Sequence, residues 1–200
     1  YCLDATATKW QFSSPQSQLS ELPLPQLPLP NAATALMALE ALELPISLAA
    51  IRDGLRQARE AGRLELHLGN PDYLLDVAHN PHAAEFLTRY LQQRFPQRPI
   101  YAVVGMLKDK DIVGTLAALE PVVQAWYLAD LAGPRGATAQ ELAKALASSA
   151  GSNNVHVSCF MTVPEAFASA CAQARKVAQE ADQQPLVLVC GSFYTVGQIS

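Results

Sequence analysis

Charged residues are scarce in this sequence, and the basic ones are not clustered. Only 16% of the 200 residues are charged, and the formal net charge is −4. Because nucleic-acid backbones are bound by basic stripes, this distribution argues against a nucleic-acid partner. Half of the residues are hydrophobic, which is typical of a folded globular protein and not of a disordered one.

Long apolar runs are also missing. The most apolar segment, residues 31–51, is interrupted by Glu40, Glu43 and Pro45, so we expect no membrane-spanning helix. The chain opens with YCLDATATKW, which has neither an initiator methionine nor the charged and then apolar pattern of a signal peptide. We therefore expect no membrane partner, and we expect that the sequence begins inside a longer protein.

Cysteine is rare and isolated. The four cysteines form no CxxC pair, and three of them lie in the apolar segments HVSCF, ASACAQA and LVLVCGS. Free thiols in such surroundings are typical of a reducing compartment, so we predict a cytoplasmic protein with four unpaired cysteines. The four histidines show no zinc-binding spacing with cysteine, and we expect no metal site in this chain. The cysteines are Cys2, Cys159, Cys171 and Cys190.

The common phosphate-binding and hydrolase motifs are absent as well. No glycine is followed by lysine, so the chain contains no GxxxxGK[ST] nucleotide loop. Neither GxGxxG nor GxSxG occurs. A complete phosphoryl-transfer site cannot be assembled from these residues, and we expect that the reaction needs a further segment of protein.

The chain divides into two parts of different character. Residues 1–61 contain a proline-rich, extended start and two helical segments, NAATALMALEAL and SLAAIRDGLRQA. We expect Asn31 to cap the first helix, and we expect this part to be the helical tail of a central domain without a sheet of its own. In residues 62–200, apolar strands alternate with amphipathic helices. This pattern predicts an α/β, Rossmann-like, mostly parallel sheet with helices on both faces.

The segment LLDVAHNPHAAEFL holds the strongest local signal for a site. Asp76 ends a predicted strand, His79 and Asn80 lie in the turn, and a helix follows. A carboxylate at that position can accept hydrogen bonds from ribose hydroxyls, and the free amides of the helix favour a negatively charged partner. The alternative is that Asp76 and Asn80 only organise a tight turn. The residues fit both roles equally well, and the two roles are compatible.

Three further residues lie near expected ligand-binding turns. Arg63 lies at the junction of the two parts, and its planar guanidinium could hold a phosphate, although a solvated arginine is the commoner outcome there. Lys108 lies in the charged turn of VVGMLKDKD, where a solvated loop is the usual reading. Ser192 lies at the start of the last helix, where an ordinary N-cap is slightly favoured over a ligand contact.

Several segments taken together suggest a family. They resemble, in order and spacing from about residue 22 to the end, bacterial bifunctional dihydrofolate synthase/folylpolyglutamate synthase of the Mur ligase superfamily. One departure is EAGR, where the commoner sequence is proline-glycine-arginine; it leaves Arg63 in place but puts the stiffness of the hinge in doubt. The matching segments are PLPN (28–31), GRLE (62–65), DVAHNP (76–81), VVGMLKDKD (103–111), GPRGAT (133–138) and VLVCGSF (187–193).

The resemblance implies an ATP-dependent, ADP-forming ligase that adds L-glutamate to dihydropteroate and to folates through an acyl phosphate. It implies ATP and Mg²⁺ as cofactors, with the phosphate loop and the magnesium ligands in an upstream part of a central ATPase domain. By matching position, Asn31, Arg63 and Asp76 are implied to contact ATP. The resemblance further implies a monomeric enzyme in the cytoplasm.

The resemblance also implies which residues line the cleft for the amino acid and the folate-type substrate, namely His79, Ser192 and Lys108. His79 is in addition a candidate catalytic residue. We expect this chain alone to lack ligase activity, because the phosphate loop is missing. Two other interpretations stay open. One is the C-terminal domain of a peptidoglycan-precursor amino-acid ligase, which the MLKDKD and GPRGAT turns disfavour. The other is a non-catalytic Rossmann-type module that binds a ligand or a partner, which the missing phosphate loop favours for this chain taken alone.

Overall fold

The chain forms two compact units, Tyr1–Ala61 and Gly62–Ser200, in a computed structural model. Among the residues that the structure describes, no helix is both long and apolar enough to cross a bilayer. The two units are considered separately below. The described residues are 2–3, 8–42, 44–148, 155–181 and 183–199.

The first unit contains a small antiparallel sheet as well as two helices. Strand β1 (Cys2–Leu3) pairs with β2 (Lys9–Ser13), and β2 pairs with β3 (Gln18–Pro23). Helix α1 (Leu29–Ala41) and helix α2 (Leu48–Gln57) follow. The prediction that residues 1–61 have no sheet of their own is therefore wrong, whereas the two predicted helices are present; that this part is the tail of a central domain stays a prediction.

The sheet of the first unit forms because β2 alternates between apolar and polar residues. Trp10 and Phe12 are buried, whereas Lys9 and Gln11 are exposed. Such a period of two places both aromatic rings on one face of the strand. They share a small core with Leu22 of β3 and with residues of both helices. The short strands and the nearby prolines obscure this pattern in the sequence.

Helix α1 begins three residues earlier than the capping argument predicted, at Leu29. Pro28 occupies the N-cap position, Pro30 lies in the first turn, and Asn31 is an exposed helical residue whose backbone N–H donates to the carbonyl of Pro28 at 2.9 Å. Prolines are tolerated here because the first N–H groups of a helix have no intrahelical acceptor. Asn31 is therefore not the N-cap.

The second unit is a six-stranded sheet in the order β4-β5-β9-β6-β7-β8. All neighbouring strands are parallel except β4, which pairs antiparallel with β5 at one edge. This confirms the predicted α/β class with a mostly parallel sheet. The elements are β4 (Glu65–His67), β5 (Tyr73–Asp76), α3 (Pro81–Arg94), β6 (Ile100–Val104), α4 (Ile112–Leu119), β7 (Val123–Ala129), α5 (Ala139–Ser148), β8 (His156–Phe160), α6 (Val163–Glu180), β9 (Leu186–Cys190) and α7 (Phe193–Val196).

Helices cover both faces of this sheet. Helices α3, α4 and α5 pack on one face, where they share a core with residues such as Leu74 and Leu188. Helix α6 packs on the other face, against residues such as Leu75 and Val189. Successive strand residues point to opposite faces, so the central strands must be apolar throughout to bury both sides. Strand β9, whose five residues are all buried, shows this most clearly.

Local capping signals start the helices of the second unit. Asn80 accepts a hydrogen bond from the N–H of Ala83 at 2.9 Å, which fixes the start of α3. Asp111 does the same for α4. A capping box starts α5: the N–H of Thr138 donates to Glu141 at 2.7 Å, and the N–H of Glu141 donates back to Thr138. Each of these caps joins residues that are only three positions apart in the sequence.

Three cysteines can be placed, and we expect them to differ in reactivity. Cys159 is an exposed free thiol, whereas Cys171 and Cys190 are buried free thiols; the side chain of Cys2 lies outside the described residues. Burial raises the pKa of all three thiols, so access to the reagent decides which of them reacts. A thiol reagent should therefore modify the exposed Cys159 before the buried Cys171 and Cys190 in the native protein. Under denaturing, non-reducing conditions we expect all four thiols to react, and a count of two or none would contradict the prediction.

Candidate functional site

The candidate site lies at the carboxyl ends of the parallel strands. The last strand, β9, inserts between β5 and β6, so the turns after β5, β9 and β6 are neighbours. The N–H of Gly105, just after β6, donates to the carbonyl of Cys190 at the end of β9. Ligands of doubly wound sheets bind at this edge, where the direction of the strand order reverses.

Asp76 is buried at the end of β5 and holds the turn that carries Arg63. Its Oδ2 accepts a hydrogen bond from the N–H of Leu64 at 3.0 Å, and its Oδ1 accepts one from the N–H of Ala78 at 2.8 Å. The N–H of Val77 donates to the carbonyl of Gly62 at 2.8 Å. The backbone is therefore tied on both sides of Arg63.

The backbone around Arg63 is unusual, which explains why it needs these ties. Gly62 and Leu64 both have a positive φ, of 68° and 47°. Leucine is strained in this left-handed region, because its Cβ approaches the backbone closely. Burial raises the pKa of Asp76, while its two backbone hydrogen bonds and the charges of Arg63 and His79 oppose that shift. Asp76 therefore acts as an organiser of the turn, whether or not it also contacts a ligand.

Arg63 is a half-buried cation that forms no ion pair with any described residue. Its guanidinium lies over the ring of Phe193, 5.9 Å from the ring centroid. Phe193 is 58% exposed, so this contact leaves the guanidinium accessible to a ligand. An unpaired guanidinium on a fixed backbone is well suited to bind a phosphate through two parallel hydrogen bonds.

His79 faces the same turn and has one ring nitrogen available. Its Nδ1 lies 2.9 Å from the carbonyl oxygen of Val77. Because a carbonyl can only accept, we assign the hydrogen to Nδ1, which leaves Nε2 as the nitrogen that can contact a substrate. No other described residue is hydrogen-bonded to this ring.

Ser192 is an N-cap whose hydroxyl is used inside the protein. It accepts a hydrogen bond from the N–H of Thr195 at 3.0 Å and lies 2.7 Å from the hydroxyl of Thr195. The Thr195 hydroxyl donates to the carbonyl of Gly105 at 2.6 Å, so Ser192 must be the donor to Thr195. This chain of hydrogen bonds fixes the turn after β9 against the turn after β6.

Gly191 permits the close contact between these two turns. Its φ is 114°, and a Cβ at this position would lie 2.3 Å from the carbonyl oxygen of Gly105. Only glycine fits such a conformation and such a contact. Glycine is thus required at position 191, because the backbones of the two turns come so close together there.

Lys108 belongs to a charged rim beside the site. Its ammonium lies 3.6 Å from Glu141, and it is about half exposed. Next to it, Arg135 binds Asp109 through both carboxylate oxygens at 3.0 and 3.1 Å, and these hydrogen bonds lower the pKa of Asp109. The backbone N–H of Lys108 donates to the carbonyl of Arg135 at 2.8 Å, so the MLKDKD and GPRGAT turns form one structure.

A cavity of about 580 Å³ opens between the turns after β6 and β7 and helix α7. Its walls include Leu107, Leu131 and Arg135, together with Phe193 and Tyr194, which are 58% and 65% exposed. Exposed aromatic rings beside a cavity are a common feature of ligand sites. The sequence points to Ser192 in this segment but not to the two aromatic rings that follow it. These rings could have been identified from their position in the first turn of a helix that directly follows a buried strand.

The described residues fit part of a bound nucleotide. Arg63 supplies a cation for phosphate, and Asp76 keeps acceptor capacity for a ribose hydroxyl, because an ionised carboxylate can accept about four hydrogen bonds. Asn31 belongs to the first unit, where its side chain is exposed. Among the described residues, no group of three His, Cys, Asp or Glu side chains is arranged to hold a metal ion. Arg63 and Asp76 thus have the charge and the acceptor atoms that a nucleotide ligand requires.

Comparison with known proteins places the chain in a family. Residues 62–193 match the family described as Mur ligase, glutamate ligase domain. The dihydrofolate synthase/folylpolyglutamate synthase of Escherichia coli (strain K12) is 45% identical over 190 residues, which cover 95% of this chain and 42% of that protein. The chain thus spans less than half the length of this relative.

Solved structures show the same similarity. The structure of E. coli FolC in complex with DHPP and ADP has a TM-score of 0.84 and 44% identity, over 98% of this chain and 44% of the other. A bifunctional folylpolyglutamate synthase/dihydrofolate synthase with Mn, AMPPNP and L-glutamate bound has a TM-score of 0.78 and 46% identity, over 95% of this chain and 43% of the other. The match over residues 62–193 and these likenesses show that the chain belongs to the Mur ligase family, with residues 62–193 forming its glutamate ligase domain.

Proposed function

We propose that this chain is the C-terminal part of an ATP-dependent, ADP-forming ligase that adds L-glutamate to dihydropteroate and to folates. The observation that carries the proposal is Arg63, an unpaired cation held by a locked backbone at the carboxyl edge of the sheet. The relatives support the choice of substrates, since their names specify dihydrofolate and folylpolyglutamate synthesis. The phosphate loop and the Mg²⁺ ligands are assigned to an upstream half of the enzyme.

The proposed reaction needs charge neutralisation and positioning. The terminal phosphate of ATP is transferred to a substrate carboxylate, and the amine of glutamate then attacks the carbonyl carbon and expels phosphate. Arg63 offsets negative charge on the phosphate groups, and Asp76 fixes the hinge and accepts from the ribose. Electrostatic stabilisation of this kind is often the largest single contribution to catalysis. Asn31, in the first unit, is also proposed to contact ATP.

The incoming amino acid is proposed to bind beside the turn after β5. His79 offers Nε2 to the substrate, and Lys108 offers a cation to a carboxylate. Ser192 contributes chiefly by fixing the backbone of its turn, because its hydroxyl hydrogen is already donated to Thr195. We further propose that the whole enzyme acts as a monomer in the cytoplasm.

The proposal is tested by comparing this chain with a protein extended to the length of the relatives. We expect the chain alone to release no ADP, because it lacks a phosphate loop. The extended protein should release ADP only when dihydropteroate, or a folate, and L-glutamate are both present. ADP formation by the chain alone would contradict the proposal that phosphate transfer needs the upstream half of the enzyme. Activity of the extended protein with a nucleotide-linked muramyl substrate, and none with dihydropteroate, would instead assign it to peptidoglycan synthesis.

A further inference from the structure

A second cavity, of about 520 Å³, lies on the face of the sheet that α6 covers. Its floor is formed near the amino ends of the strands, where Tyr101 lies beside Ala125, Ala125 beside His156, and Tyr127 beside Ser158. The candidate functional site lies at the carboxyl ends of the strands. This amino-edge cavity is therefore a separate feature.

The roof of the amino-edge cavity is one stripe of helix α6. Ser169, Ala172, Gln173 and Lys176 line it, with spacings of three, one and three residues that place them along one side of a helix. Alanines on both the floor and the roof leave space that larger side chains would fill. Most of this stripe is exposed, because it lies beside the apolar stripe, which includes Ala170 and Ala174, through which α6 packs on the sheet.

Two largely buried tyrosines offer hydroxyl groups to the amino-edge cavity. Tyr101 is 7% exposed and Tyr127 is 2% exposed, and both line the cavity. Neither hydroxyl is hydrogen-bonded to a described residue, and neither is fully sealed from solvent. Each hydroxyl is therefore free to hydrogen-bond to water or to a ligand that enters the cavity.

The chemistry of the lining favours an anion. Lys176 carries a positive charge, and Gln124, Gln173 and the hydroxyls supply further donors; no described lining residue carries a carboxylate. Burial, with a smaller contribution from the neighbouring Tyr101, raises the pKa of Tyr127 to about 12, so its hydroxyl remains a donor at neutral pH. Donors around one cation are the arrangement that binds carboxylate or phosphate oxygens.

We propose that the amino-edge cavity is a second binding site, which takes a small anion whose carboxylate or phosphate oxygens contact Lys176 and the hydroxyls of Tyr101 and Tyr127. This inference does not depend on the proposed ligase function, because none of these residues belongs to the candidate functional site at the carboxyl ends of the strands. A ligand here would hold α6 against β7 and β8, the outer strands of the sheet.

The test is a titration of the chain with inorganic phosphate and, separately, with succinate, followed by ¹H–¹⁵N NMR spectra. Two variants remove the proposed contacts with little change in shape, Lys176→Met and Tyr127→Phe. Two matched controls make the same chemical changes on the opposite face of the sheet, Lys144→Met on α5 and Tyr90→Phe on α3.

We expect saturable shifts at the amides around Tyr127 and Lys176 with at least one probe, and the probe that saturates identifies phosphate or carboxylate as the preferred group. Each cavity variant should raise the dissociation constant about tenfold, the usual effect of one charge-assisted hydrogen bond, while the controls bind like the parent. The proposal is overturned if neither probe gives saturable shifts there. It is also overturned if the cavity variants bind like the parent, or if Lys144→Met weakens binding as much as Lys176→Met.

Discussion

Replacing Asp76 with alanine is expected to lower the free energy of unfolding of the chain by about 2 kcal/mol. The change leaves the N–H groups of Leu64 and Ala78 without their acceptor. Each unsatisfied buried donor costs about 1–3 kcal/mol, and relief of the buried charge offsets part of the sum. In the extended protein the same change should mainly raise the KM for ATP. Urea unfolding curves and steady-state kinetics measure the two effects.

The matched variant is Asp76→Asn, which keeps the shape and one acceptor oxygen. It should be less destabilising than Asp76→Ala, and its effect should depend on pH. Burial raises the pKa of Asp76 above its ordinary value of 3.8, so this carboxyl stabilises the fold most at low pH and loses that contribution as the pH rises through the raised pKa. The stability of Asp76→Asn relative to the parent should therefore improve as the pH rises. Equal stability of Asp76→Ala and the parent, with an unchanged KM for ATP, would show that neither role holds.

Replacing Arg63 with alanine in the extended protein is expected to lower turnover about tenfold to a hundredfold. Losing one charge-assisted hydrogen bond typically costs about 1.5–3 kcal/mol, which corresponds to that range. The effect should appear in kcat as well as in KM, because Arg63 is proposed to offset charge that develops during phosphate transfer. Stability should change little, since the guanidinium makes no ion pair with a described residue and contacts only an exposed ring.

Two variants make this prediction specific. Arg63→Lys keeps the charge but loses the planar, bidentate hydrogen-bond donor, so its activity should lie between that of Arg63→Ala and that of the parent. Arg59→Ala removes a nearby arginine that hydrogen-bonds only to backbone carbonyls, and it should leave the kinetics unchanged. If Arg63→Ala kept the turnover of the parent in a normally folded protein, Arg63 would be a solvated hinge residue, and the main support for the proposed function would be lost.

The fold of the second unit could be predicted because its signals are local or periodic. Strand β9 reads LVLVC, and only a strand covered on both faces accommodates such a run. Asn80 and Asp111 start their helices through hydrogen bonds three residues away. In the first unit the same reasoning missed the sheet, because the alternation of Trp10 and Phe12 covers only a short strand close to several prolines.

The sequence by itself determined the strands and helices of residues 62–200 and the residue types available at their ends. Only the tertiary structure decided what those residues do. Asp76 holds the N–H of Leu64, twelve positions earlier, and the Ser192–Thr195 pair reaches Gly105 across ninety positions. Such contacts depend on the insertion of β9 between β5 and β6, which no local pattern specifies. Propensity, period and capping act over a few residues, whereas the site is built from segments that become neighbours only when the sheet forms.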